Sequence, residues 1–170
     1  MRVLFFCELG DPRVGSSTRM MYGLARKLRE RGHQTAVVAC VRDAAEATPV
    51  VVEGMQGFPI HSDYSVRFRP WVSLHNGRID RALAAILAEW QPDVVHAHLV
   101  HTHLGYHSLT QAKRAGAAVV FTAHDVMTFC YQKLTCFHGG EEHGGTLDDI
   151  VARPSKCIPC QRLRFRPGRN

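Results

Sequence analysis

No apolar run in this 170-residue chain approaches the ~20 residues that a membrane-crossing helix needs. No transmembrane helix is expected. The opening Met1-Arg2-Val-Leu-Phe-Phe-Cys7-Glu8 is a short apolar run closed by an acid, without the long apolar stretch of a secretory signal. A cytoplasmic setting is therefore expected. There is no internal repeat. The dinucleotide fingerprint Gly-x-Gly-x-x-Gly is also missing: the first strand is followed by Leu9-Gly10-Asp11-Pro12. Gly10–Ser17 nearly spells a P-loop, but Ser16 and Ser17 stand where Lys-Ser/Thr belongs. That lysine carries the charge that reaches the β- and γ-phosphates. A nucleotide kinase or a nicotinamide enzyme is thereby disfavoured.

The chain does carry a positive excess, with a formal charge of +6 and a pI near 9.2. Such a balance favours phosphates, nucleic acids or an anionic membrane surface. The excess is uneven, because Arg162-Leu-Arg-Phe-Arg-Pro-Gly-Arg169 holds four arginines and the remainder is nearly balanced. No nucleic-acid face is expected across the fold. The hydrophobic fraction of 45% and charged fraction of 21% fit one ordinary globular domain with a real core.

Strand and helix patterns alternate. Arg2–Cys7 reads as a buried strand, followed by a loop and a helix that Ser16 or Ser17 can cap. Met20, Met21, Leu24 and Leu28 give that helix an apolar face, and Gly32 ends it. Residues 34–40 form the next strand. Two short strands, 48–53 and 58–61, turn at Gly54 or Gly57. Residues 62–74 lack periodicity and read as a loop. Ile79, Leu83, Ile86, Leu87 and Trp90 mark an amphipathic helix, 93–98 a strand, 103–115 a helix, and 118–123 a buried strand ending at His124-Asp125. This order predicts an α/β fold, a Rossmann-like parallel sheet with helices on both faces. An irregular cysteine-bearing C-terminal extension completes it. The expected division is 1–126 for the Rossmann-like part and 127–170 for the extension.

Ligands of open α/β sheets bind outside the carboxyl ends of the strands. That edge is expected to gather Gly15, Ser16, His98, His124 and Asp125. The helix beginning near Ser16 offers N–H groups to an anion, with Gly15, Ser16 and Ser17 as the binding segment. Five histidines crowd residues 96–107, but no Asp or Glu lies among them, and most read as strand-end and surface residues. Four cysteines fall in two pairs, Cys130 with Cys136 and Cys157 with Cys160. The second pair has the spacing of a zinc knuckle, so a structural zinc on Cys130, Cys136, Cys157 and Cys160 is an expectation. Cys7 and Cys40 read as small core residues.

Taken in order, these motifs resemble the N-terminal half of family-four, or group-one, retaining glycosyltransferases. The carriers are Leu28-Arg-Glu-Arg31-Gly32-His33 with its following strand, Pro92-Asp93-Val-Val-His96-Ala-His98, and Thr122-Ala-His124-Asp125. The resemblance implies a GT-B enzyme of two Rossmann-like domains, of which this is the acceptor-binding one. It implies a nucleotide-sugar donor, a glycosyl acceptor, and a C-terminal donor-binding domain not contained in these residues. It implies that His124 contacts the transferred sugar, that Asp125 orients His124 or its loop, and that Gly15 and Ser16 lie by the donor phosphate and acceptor. Ser16 departs from the family's Gly-Gly. No cofactor is expected for catalysis, and the isolated chain is expected to be inactive. Cell-envelope glycan synthesis and peripheral contact with an anionic membrane, at its inner face, are part of the same expectation. A non-catalytic zinc-thiolate module that binds anions or nucleic acid through Arg162–Arg169 is the alternative from another class.

Overall fold

The computed structural model describes residues 1–125, 128, 137–138 and 146–147. The chain divides into two compact units, Met1–His124 and Asp125–Asn170. The first holds β1 (Arg2–Cys7), α1 (Ser16–Glu30), β2 (Gln34–Val41), β3 (Val50–Val52), β4 (Met55–His61), α2 (Arg69–Leu74), α3 (Asp80–Trp90), β5 (Val94–Leu99), α4 (His107–Arg114) and β6 (Ala118–Phe121). In the second, β7 (Phe137–His138) pairs antiparallel with β8 (Thr146–Leu147). The four cysteines from Cys130 to Cys160 and the arginine tail lie outside the described residues.

Six strands form one sheet in the order β3-β4-β2-β1-β5-β6. The β4, β2, β1, β5 and β6 pairings are all parallel. Only β3 runs antiparallel, because a two-residue turn at Glu53-Gly54 joins it to β4. The architecture is the expected Rossmann-like α/β sheet. From β1 the chain moves to one side through β2 and β4, then returns from β4 to place β5 and β6 on the other side of β1. The gap between β1 and β5 is thus the topological switch point.

Alternation along the strands divides the core in two. Leu4, Phe6, Ala36, Val38, Val95 and Ala97 face α3 and α4, where Leu83, Leu87 and Ala112 are buried. Val3, Phe5, Cys7 and Val37 face α1 through Met21, Tyr22 and Ala25. Each large side chain so buried stabilises the fold by about 1.5–3 kcal/mol.

Several local expectations are corrected. The capping residue of α1 is Gly15, not a serine, and no side chain caps the helix. Its buried face is Ser17, Thr18, Met21, Tyr22 and Ala25, whereas Met20 and Leu24 are exposed. The apolar count alone misjudged the face because small polar residues fit the close helix–sheet contact. Residues 66–74 are not a plain loop: a single 3₁₀ turn precedes α2, whose first turn carries Pro70. Six residues are too few to show a helical period. The strand 118–123 is shorter and is an edge strand, with Val120 exposed. Among the described residues no helix is long and apolar enough to cross a membrane.

Candidate functional site

Because five strands run parallel, the segments after β1, β5 and β6 emerge at one edge. Neighbouring strands lie about 5 Å apart, so the ends of β1 and β6, two strands apart, are about 10 Å from each other. Gly15, His98 and His124 are placed at this edge by topology although they are far apart in sequence.

The segment after β1 is tied down at several points. Gly10 has φ +51°, and a Cβ there would lie 2.7 Å from the Ala39 Cβ, so only glycine fits. The Tyr22 hydroxyl donates to the Gly10 carbonyl at 2.6 Å. Burial pushes that phenol up to about 12, which keeps it a donor. Arg13 clasps Asp11 with two guanidinium nitrogens, and this hydrogen bonding lowers the Asp11 carboxyl below its usual range. The chain then enters α1 through Gly15 at φ +79°. No acid occupies the first turn. The N–H groups of Ser16 and Ser17 thus begin a fifteen-residue helix at the edge, where the dipole favours negative charge.

Glu8 is the residue that sequence reasoning missed. It is 4% exposed, and its carboxylate accepts from the Thr102 N–H at 2.9 Å and the His103 N–H at 2.7 Å. Its own N–H donates to the Leu99 carbonyl, and its carbonyl accepts from the Cys40 N–H. One residue, through its backbone and its side chain, thus joins the end of β1 to β2, β5 and the segment after β5. The only trace in the sequence is an acid closing an apolar strand. On the other side of the same segment, Ser73 Oγ donates to the His101 carbonyl at 2.6 Å, and Asn76 hydrogen-bonds Ser62 Oγ.

The histidines separate by element. His96 and His98 point from β5 to the α1 side of the sheet, against Phe5. His96 Nε2 lies 2.8 Å from Thr122 Oγ1, and His98 Nδ1 lies 2.8 Å from His124 Nε2. His98 is 2% exposed, and burial, with His96 and His124 adding to it, pushes it down to about 3. Burial likewise lowers His96. His98 is therefore neutral, and its Nε2 is buried without a partner. An orphaned lone pair costs less than an orphaned N–H. Nδ1–H of His98 is then the donor to His124 Nε2. That leaves the His124 ring proton on Nδ1, and the half-buried ring can offer that N–H to a ligand oxygen.

A family model described as Glycosyltransferase Family 4 matches residues 17–144. The chain belongs to this family. The match spans α1, the whole parallel sheet from β2 onward, and the Thr122–Asp125 segment. None of the curated proteins matches the chain. Among solved structures, the chain is similar to the Spinosyn Forosaminyltransferase SpnP, at 24% identity and a TM-score of 0.52, over 78% of this chain and 33% of that one. It is also similar to the catalytic domain of Starch Synthase IV from Arabidopsis thaliana bound to ADP and acarbose. There the identity is 18% and the TM-score 0.49, over 89% of this chain and 38% of that one. The chain thus spans about a third of the length of these two solved structures.

Of the expected site residues of this family-four domain, the structure joins His98 directly to His124. It sets Gly15, Ser16 and Ser17 at the same edge without a direct bond to either. Asp125 opens the second unit. His101 and His103 are buried or half-buried in the clamped segment, and His103 Nδ1 lies 3.1 Å from Ser62 Oγ.

Proposed function

We propose that this chain is the N-terminal, acceptor-binding half of a retaining glycosyltransferase that moves a sugar from a nucleotide-sugar donor to a glycosyl acceptor. The observation that carries the reading is the His98–His124 bond at the carboxyl edge, in a family-four domain, across the switch point from an uncapped helix N-terminus. In this reading the buried, neutral His98 fixes the His124 ring. His124 Nδ1–H then donates to a hydroxyl of the transferred sugar. The N–H groups of Ser16 and Ser17 hold a phosphate oxygen of the donor. Leaving-group charge is met chiefly by a second, donor-binding domain. Reaction inside a closed cleft needs no group from this chain to ionise. Asp125 acts through the peptide it shares with His124.

The test uses the 170-residue chain and a longer protein that continues it through a donor-binding half. The chain alone is expected to transfer no sugar from uridine-, guanosine- or adenosine-diphosphate donors. In the longer protein His124→Ala should lower kcat by roughly 10²-fold or more. His98→Leu should act in the same direction but less, because it removes only the partner that orients the ring. Turnover by the chain alone would sink the two-domain reading, and an unchanged kcat in a folded His124→Ala protein would remove His124 from the site.

The reading also includes peripheral contact with an anionic membrane. Phe68, Trp71 and Leu74 are 45%, 73% and 60% exposed, an apolar strip around the short α2. Exposed Arg67 lies over the Phe68 ring at 4.6 Å. Apolar side chains beside an arginine suit the boundary between headgroups and acyl chains.

A further inference from the structure

His75, Asp80 and His107 come from three different elements. His75 caps the end of α2, Asp80 is the first residue of α3, and His107 is the first residue of α4. Their nearest ligand atoms all lie within 4.8 Å of one another. His75 Nε2 is 2.7 Å from Asp80 Oδ2, and the His75 and His107 rings are tilted at 43° with centroids 4.2 Å apart. We propose that these three side chains form a binding site for a divalent transition-metal ion, zinc first.

The donor set decides the class of ion. Two imidazole nitrogens and one carboxylate oxygen suit zinc and its neighbours, and do not suit magnesium or calcium, which take oxygen. The spacing fits as well. Bonds of about 2.0–2.1 Å in a tetrahedron set ligand atoms roughly 3.3 Å apart, inside the observed range. The second sphere is also in place: Gln111 Nε2 donates to Asp80 Oδ1 at 2.6 Å, which leaves Oδ2 turned toward the histidines. Gly77 keeps one side open. A Cβ there would lie 4.0 Å from both Asp80 Oδ2 and His75 Nε2, so the missing side chain leaves room for an ion and its fourth ligand, a water.

The position gives the site a role. Helices that return from parallel strands begin at the carboxyl edge, so the first residues of α3 and α4 lie there. His107 follows directly on the 100–106 segment that Glu8 and Ser73 hold. An ion shared by α2, α3 and α4 would brace the outer side of that segment, as Glu8 braces its inner side. The ion would take no part in sugar transfer.

The experiment is equilibrium dialysis of the full chain against zinc chloride near neutral pH, with bound metal counted, for the unaltered protein, His75→Ala, Asp80→Asn and His107→Ala. Exposed His75 can be removed without loss of core packing, and circular dichroism checks each fold. The unaltered chain is expected to hold one zinc more than each variant, with binding at this site weakened roughly 100-fold or more on loss of a ligand and about 10-fold in Gln111→Ala. Zinc should raise Tm in the unaltered protein and do so less in His75→Ala. Cobalt(II) separates this site from the cysteines. The part of the cobalt spectrum lost in His75→Ala should lack a thiolate charge-transfer band. Equal zinc in the unaltered chain and a folded His75→Ala protein would overturn the proposal. So would a lost cobalt signal of thiolate character.

Discussion

At the scale of single residues, Glu8 does the most to shape the candidate site. A buried carboxylate without a cation is costly, and here backbone N–H groups replace its lost hydration. Glu8→Gln keeps the size but turns an amide NH₂ toward N–H donors, leaving buried groups unpaired. It should destabilise the chain by about 1–3 kcal/mol, read from the midpoint of urea unfolding. Stability equal to that of the unaltered protein would mean that water enters the cradle. His124 was legible in the sequence as a titratable residue at a strand end. Its bond to His98 was not, because side chains 26 positions apart meet only once β5 and β6 pair. The His75–Asp80–His107 cluster was hidden for the same reason. The acid missing from the histidine run at 96–107 is supplied by a residue 27 positions before His107.

At the scale of elements, strands were easier to read than helix faces. Parallel strands buried on both sides are nearly continuous apolar runs, and β1, β2 and β5 could be placed to within one residue. For α1, Ser17 and Thr18 join Met21 on the buried face in place of Met20 and Leu24, which were expected there. A helix pressed against a sheet selects small side chains at closest approach, which hydropathy does not record. The short α2 offers the clearest test at this scale. If its exposed strip seats the protein on a membrane, Trp71→Ser should lower sedimentation with phosphatidylserine vesicles by several-fold and leave urea stability unchanged. Vesicle binding that survives Trp71→Ser and Leu74→Ser together would discard that contact.

At the scale of the whole molecule, the polar face shared by β5 and β6 sets an acid limit on folding. His98 has a depressed folded value of about 3, against about 6.5 when unfolded. Below pH 6.5 the unfolded chain binds a proton that the folded chain refuses, so stability falls as pH falls through that window. For His98 alone the loss reaches about 2 kcal/mol at pH 5. His96 and His103, also lowered by burial, add to it in the same direction. The lowered carboxyls of Asp11 and Glu30 lose their contribution only below their ordinary range, near pH 4. Thermal melts from pH 7 to 5 should therefore show a falling Tm, flattened in His98→Leu. Parallel curves for the two proteins would show that His98 is not a buried neutral base.

The sequence by itself determined the α/β class, the parallel sense of its central strands, and the edge at which ligands are met. These follow from local periodicity and from chain connectivity, both of which are written along one dimension. The tertiary structure alone decided which polar side chains share that edge: Glu8 with the 102–104 amides, His98 with His124, and His75 with Asp80 and His107. Those partnerships depend on angstrom-scale register between segments distant in sequence. No local pattern encodes a distance between two strand ends.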